Sequence, residues 1–285
     1  MTGPKSPSAP SSTLISGGGR LSHRLSGRVS GIGSGAQTPP PKVNTARRRL
    51  WDRLASDDPD WAVLTDPKRR GGGWTSELDE FYDNGDDDVA SDLADLDPQP
   101  NYQGVAVDWG SGTGRLTLAL GRRFASAVGV DISPHMVELA RTRALDRGST
   151  NVSFVTVDQC GVRDASLVYS KLVLQHLSNR REILRTLDEM TRLLAPNGYL
   201  IMQIPSGSAT WRARVRLASR LWQVQQVLPP LERPLRKLGL SGITMTWISQ
   251  ARATRRLERR GLRLVALRTY IAGGYHHTIY VAQRR

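Results

Sequence analysis

A single cysteine, Cys160, stands in 285 residues. That excludes an internal disulfide and any multi-cysteine metal site, and it suits a reducing cytoplasm. No apolar run approaches the roughly 18 residues a membrane-spanning helix needs. Thr13-Leu14-Ile15 is too short for a signal-peptide core, and Gly17-Gly18-Gly19 interrupts it. Acidic side chains are missing from the first fifty residues, which hold eight Lys and Arg.

The formal net charge is +14, and its distribution is uneven. Residues 51–100 hold 15 acids against four bases, and residues 101–206 hold nine against 12. Residues 207–285 hold two acids and 16 bases. A basic arm, an acidic segment, a near-neutral middle and a basic end suggest an anionic partner: phosphate, lipid head group or nucleic acid.

Residues 1–45 are rich in Ser, Gly and Pro and carry no hydrophobic period. Such a composition cannot bury enough apolar surface to offset its ordering entropy, so a disordered arm is expected. Residues 46–100 read as a helical extension, anchored by Trp51, Trp61, Trp74, Phe81 and Tyr82. Thr75 or Ser76 is placed to cap one helix, and Asp86-Asp87-Asp88 to sit on the first turn of another, where the dipole favours negative charge.

From Gly104 short apolar runs alternate with amphipathic stretches, the pattern of a parallel sheet with crossover helices. Strands are expected at Val105–Trp109, Ala127–Val130, Val152–Val157, Ser166–Tyr169, Tyr199–Ile204, Leu262–Thr269 and Thr278–Ala282. Helices are expected at Arg115–Arg123, Pro134–Asp146, Val173–Leu177, Arg180–Leu194 and Ile248–Arg260. The fold class is α/β: a Rossmann-like, seven-stranded, mostly parallel sheet with helices on both faces. It fills residues 101–285 and is interrupted at 207–241 by a basic, Trp-containing helical lid insert.

The central signal is Val105-Ala-Val-Asp108-Trp-Gly110-Ser-Gly112-Thr-Gly114-Arg115. An apolar strand ends in an acid and runs into a glycine-rich turn that opens a helix. The glycines permit a tight turn and close ligand approach, and a helix N-terminus offers N–H groups to a carboxylate. A dinucleotide site reads G-x-G-x-x-G. Here the spacing is G-x-G-x-G and Arg115 holds the place of the third glycine, which disfavours NAD. A second acid, Asp131, ends the next strand 21 residues after Gly110, where a carboxylate can accept from both ribose hydroxyls. A third polar strand end, Asp158-Gln159, could read an exocyclic amino group.

These motifs, in this order, resemble the class I methyltransferase family over about residues 100–285. Asp108-x-Gly110-x-Gly112-x-Gly114 looks like its first motif, Asp131 like its ribose-binding acid, and Asp158 like the residue that meets the adenine amino group. Val168 through Leu177 is similar to the fourth-strand motif that lines the methionine end, and Leu193 through Pro205 resembles the turn and fifth strand. The resemblance implies S-adenosylmethionine as cofactor and methyl transfer as reaction; no metal site is expected from the residues. It implies a donor site of Asp108, Gly110, Gly112, Gly114, Asp131, Ile132, Met136, Asp158, Gln159 and Ser170. The bulky Trp109 and Asn197, where glycine is usual, depart from the family without removing a donor-binding group. The segment Trp61–Trp74 resembles extensions of bacterial relatives and is expected over the donor pocket.

Methyl transfer is an in-line displacement, so the protein chiefly supplies proximity and alignment. A base is needed only where the acceptor must lose a proton. His176, after the fourth strand, is one candidate, and His276 and His277, expected in a loop between the last two strands, are others. Lys171 is placed either at the methyl group or as a solvated lysine. The Asn/Asp-Pro-Pro-aromatic turn of DNA amino-methylating enzymes is replaced here by Ser170-Lys171-Leu172-Val173. Cys160 is not placed as a cytosine-attacking nucleophile and is expected to fill space near the adenine. In the insert, Arg212, Arg216 and Arg220 recur every four residues opposite Trp211, Val215, Ala218 and Trp222, a pattern suited to an anionic membrane surface or a pocket lid. A small-molecule or lipid-like acceptor and a cytoplasmic, peripherally membrane-bound protein are therefore expected. A nucleic-acid or protein methyltransferase and a non-catalytic donor-binding protein stand as alternatives.

Overall fold

A computed structural model of the chain describes residues 44–94, 96–209 and 245–285. The basic arm up to residue 43 and most of the insert, with Arg212, Arg216 and Arg220, lie outside these residues.

Seven strands form one sheet in the order β3-β2-β1-β4-β5-β7-β6. They are β1 Val105–Trp109, β2 Ser126–Asp131, β3 Val152–Thr156, β4 Ala165–Ser170, β5 Leu194–Ser208, β6 Leu262–Ala272 and β7 Tyr275–Arg284. Strands β1 to β5 pair in parallel, while β7 runs antiparallel between β5 and β6. All seven expected strands are present. The last three are longer than expected: β7 extends together with β6 and with the end of β5 as an antiparallel ladder, and the start of β5 pairs with β4 at Ala165. Gly207 and Ser208, expected at the start of the insert, belong to β5 and pair with His276 and Tyr275.

The helices are α1 Thr45–Asp57, α2 Pro59–Val63, α3 Leu78–Ala94, α4 Arg115–Gly121, α5 Pro134–Asp146, α6 Arg180–Leu193 and, after the undescribed stretch, α7 Gln250–Arg259. Strand alternation divides the core. Ala106, Leu167, Tyr169 and Ile201 pack against α3 and α4. Val107, Val168, Leu200 and Met202 pack against α6 and α7. Each face is thus closed by helices, as a parallel sheet requires. Helix caps follow the sequence: Ser133 accepts from the Met136 amide to start α5, and Asn179 accepts from Glu182 to start α6.

The acidic segment departs from expectation. Asp86-Asp87-Asp88 lies in the middle of α3 rather than on the first turn of a helix. The helix runs through Gly85 because that glycine packs against Arg115, whose carbonyl a Cβ would meet at 2.7 Å. The carboxylates are balanced by cations of neighbouring segments, Asp86 by Arg122 and Arg123 and Asp88 by Arg115 and Lys171.

Candidate donor and acceptor site

The chain reverses direction across the sheet between β1 and β4, and open α/β sheets bind ligands outside the strand ends at that point. A cavity lies there, with about 1130 Å³ of empty space including its open mouth. Gly110, Gly112, Asp131, Ile132 and Met136 line one side of it. Gly110 and Gly112 have φ of +85° and +53°. Their bare backbones allow close packing, since a Cβ would lie 2.3 Å from Val173 and from Val63 respectively. Val63 and Ala62 belong to α2, so part of the Trp61–Trp74 segment does reach the pocket. The rest of that segment packs elsewhere, with Trp74 against Phe81 and Phe154.

Asp131 ends β2 and is 8% exposed. Its two carboxylate oxygens accept from the Gly112 and Ser133 amides, each at 2.9 Å. Burial raises its pKa, and those two amides oppose the rise. Each oxygen keeps a second acceptor position. Asp108, at the end of β1, accepts from Thr117 Oγ1 at 2.7 Å, while its Oδ1 is buried without a partner. Burial pushes its carboxyl up to about 7. Ser111 Oγ is likewise buried and unpartnered beside it in the turn.

Helix α1, for which the sequence carried no ligand-binding signal, crosses the mouth of this cavity. Asn44, Arg47 and Trp51 line it. On one side Arg47 pairs with Glu182 of α6, and Trp51 meets the His176 ring edge-on at 5.5 Å between centroids. On the other, Arg48 donates to the Ile132 carbonyl at 3.0 Å and to Asp158 Oδ1 at 2.6 Å. Asp52 accepts from Ser133 Oγ. Burial works to raise the Asp158 pKa, but its own backbone amide and Arg48 outweigh it, and the carboxyl sits below its usual range.

The remaining expected site residues divide. Gly114, with φ of +90°, packs on Phe154 and shapes the turn without lining the cavity. Ser170 is buried and spends its hydroxyl on the Trp109 carbonyl, tying β4 to β1. Gln159 turns back to accept from the Thr156 amide. Cys160 is partly buried and packs against the core cluster that includes Val107 and Val168. His276 and His277 are not in a loop: the reversal is made by Gly273-Gly274, and both histidines lie in β7 opposite Gly207 and Pro205. His277 is buried, with its Nδ1 2.8 Å from Gln203 Nε2. The Gln203 Oε1 accepts from the Leu172 amide at 3.0 Å. It therefore acts on the cavity only through Gln203 and the strained loop after β4, where Leu172 has φ of +63°.

His176 does line the cavity. Burial lowers its pKa to about 4, so the ring is neutral at physiological pH, and its Nδ1 has no partner. Lys171 also lines the cavity and is not a solvated lysine: its Nζ lies 2.7 Å from Asp88 Oδ1. Among the described residues no group of His, Cys, Asp and Glu is placed to hold a metal, and no helix is long and apolar enough to cross a membrane.

Residues 107–202 match a methyltransferase domain family. The matched residues, about a third of the chain, are those of a methyltransferase domain, and the sheet around them has the class I methyltransferase fold. Over 101 residues it is 37% identical to a trans-aconitate 2-methyltransferase of Rhodococcus jostii, a match that covers 35% of this chain and 37% of that protein. The chain thus spans little more than a third of the length of the curated relatives it matches. Among solved structures, magnesium protoporphyrin IX methyltransferase from Synechocystis with bound SAH has a TM-score of 0.57 at 20% identity, covering 85% of this chain and 99% of that one. The [4+2]-cyclase SpnF has a TM-score of 0.54 at 14% identity, covering 87% of this chain and 99% of that one. At such identities these structures share the fold.

The residues of this domain fit an S-adenosylmethionine-sized group. The turn holds unpartnered buried acceptors at Asp108 Oδ1 and Ser111 Oγ, and the open cavity beside it is lined by Asp131 and by the bare backbones of Gly110 and Gly112.

Proposed function

We propose that the protein transfers the methyl group of S-adenosylmethionine to a small-molecule acceptor. The observation that carries this reading is the position of α1. It roofs the cavity from Asn44 to Trp51, which favours an acceptor small enough to lie beneath it. The names of the curated relatives, trans-aconitate methyltransferases, are in keeping with a small acceptor.

The bound donor would supply an electrophilic methyl group on a sulfonium. The chain's residues do the rest by alignment. Asp131 would accept from the ribose hydroxyls with the lone pairs its amide bonds leave free. Asp158, held by Arg48, would accept from the amino group of the adenine. In neutral His176 the Nε2 accepts from Gln175 Nε2 at 3.1 Å, so the open Nδ1 carries the ring proton and would donate to an oxygen of the acceptor and orient it. Trp51, Val173 and Leu177 exclude water around it. A cytoplasmic location, which rests on the single cysteine, and a peripheral membrane contact through Arg212, Arg216 and Arg220, which rests on the basic sequence, belong to the same reading.

The test is incubation of the purified protein with a cell extract and methyl-labelled donor. Label is expected in the small-molecule fraction and is lost in Asp131→Ala. Label confined to protein or nucleic acid would overturn the small-molecule reading.

A further inference from the structure

Helices α6 and α7 lie side by side on one face of the sheet. Both bury their apolar stripes in the same core cluster, Ile183, Leu187 and Met190 from α6 and Ala253 and Leu257 from α7. Asp188 of α6 joins them, accepting from Arg256 Nε at 2.7 Å and from Arg260 Nε at 2.8 Å. The sides turned away from the core carry exposed arginines: Arg181, Arg185 and Arg192 on α6, and Arg252, Arg255 and Arg259 on α7. Among the described residues none of the six takes part in a salt bridge. The two helices hold four acids, and two of these are taken, Asp188 by Arg256 and Arg260 and Glu182 by Arg47. Glu258 and the half-buried Glu189 are left to face six arginines. The stretches 1–43 and 210–244 contain a single acid, Glu232, so they cannot neutralise this face either. Beside α7, the edge strand β6 turns apolar side chains to solvent. Gln250 of α7 donates to Thr269 Oγ1 at 3.1 Å. Leu267 and Ile271, two residues to either side of Thr269, share its face of the strand and are 42% and 65% exposed.

We infer that the outer sides of α6 and α7, with the adjoining edge of β6, form a docking surface for an anionic lipid bilayer. Arginines in water cost little, but a row of them on each of two neighbouring helices sets up a field that gathers phosphate and carboxylate head groups. A nucleic acid would match the arginines and leave Leu267 and Ile271 in water, whereas a bilayer interface takes basic and apolar side chains together. The inference shares the membrane contact of the proposed function but places it on folded elements, apart from Arg212, Arg216 and Arg220. Arg185 also lines the cavity, so docking through this face brings the cavity to the bilayer surface. The test is sedimentation of the full chain with phosphatidylcholine vesicles, with and without phosphatidylserine. The wild type is expected to bind only the anionic vesicles, and less as salt rises. Each arginine near such a surface is worth about fivefold in affinity, so Arg252→Gln, Arg255→Gln and Arg259→Gln together should weaken binding about a hundredfold. Lysine at the same three positions should retain it. Leu267→Ser with Ile271→Ser should also weaken it. Calorimetry with S-adenosylhomocysteine is expected to give one affinity for all these variants, which checks that they fold. If the glutamine triple binds anionic vesicles as the wild type does, or the wild type binds neither vesicle, the assignment is overturned while the donor reading stands. If duplex RNA displaces the vesicles and the serine double variant binds both as the wild type does, the surface serves nucleic acid and the lipid assignment is overturned. A wild type that binds anionic vesicles through these arginines but no S-adenosylhomocysteine would uphold the surface and overturn the donor reading.

Discussion

At the scale of single residues, the two acids that end β1 and β2 have different work. Asp131 holds the glycine turn together through its bonds to the Gly112 and Ser133 amides, so a purely ligand-binding role is too narrow. Asp131→Ala leaves two buried amides unpaired. It is expected to lower stability by about 1–3 kcal/mol, read by urea denaturation, as well as to weaken S-adenosylhomocysteine binding. Unchanged stability with lost binding would confine Asp131 to the ligand. Asp108 gives a pH signature. Its carboxyl sits at about 7 in the folded chain against about 3.9 unfolded, so the native state binds the extra proton between those values. Its contribution is fully present below about pH 4 and is lost as the pH rises through 7, by at most about 4 kcal/mol. Asp108→Asn keeps an acceptor for Thr117 and should flatten the stability profile between pH 5 and 8. A variant as pH-dependent as the wild type would mean another group titrates there. Asp88, held low by Lys171 and Arg115 against the effect of burial, adds its dependence only at more acid pH.

At the scale of elements, α1 is the one whose role could not be read from its own residues. Asn44-Thr45-Ala46-Arg47-Arg48-Arg49 looks like the end of a basic arm. Its meaning comes from what lies opposite: Glu182, Asp158, the Ile132 carbonyl and His176, all from other segments. The grip is partly ionic, and exposed pairs such as Arg48–Asp158 contribute only about 0–1 kcal/mol each and weaken with salt. Amide hydrogen exchange over residues 45–57 is therefore expected to speed up between 0.05 and about 1 M salt, while β1 and β4 are unaffected. Exchange in α1 as slow and as salt-insensitive as in β1 would show that apolar contacts through Trp51, Leu54 and Ala55 hold the helix instead. The β6–β7 hairpin teaches a related point. Tyr275, His276 and His277 carry weak local signals, and the pair Gly273-Gly274 decided where the chain turns.

At the scale of the whole molecule, a ligand that binds only the folded chain adds stability by mass action. S-Adenosylhomocysteine at about 100 times its Kd should add about 2.7 kcal/mol and raise Tm, and NAD should leave Tm unmoved. Removing residues 1–43, which carry no core-forming pattern, is expected to leave Tm and S-adenosylhomocysteine affinity within error of the full chain. A drop of several degrees would show that the arm is bound to the domain. By itself the sequence determined the α/β class, the seven strands and the glycine turn with its two flanking acids. Those signals are local: a strand's apolar run, a glycine's freedom at positive φ and the acid at a strand end all lie within a few residues of one another. Only the tertiary structure decided that α1 roofs the cavity, that Asp88 and Asp92 of α3 gather Arg115, Lys171 and Arg268, and that His176 lines the cavity while His276 and His277 do not. Partners in those contacts stand about 20 to 180 residues apart in the chain, and charge, unlike hydrophobic period, leaves no local mark of the partner it will meet.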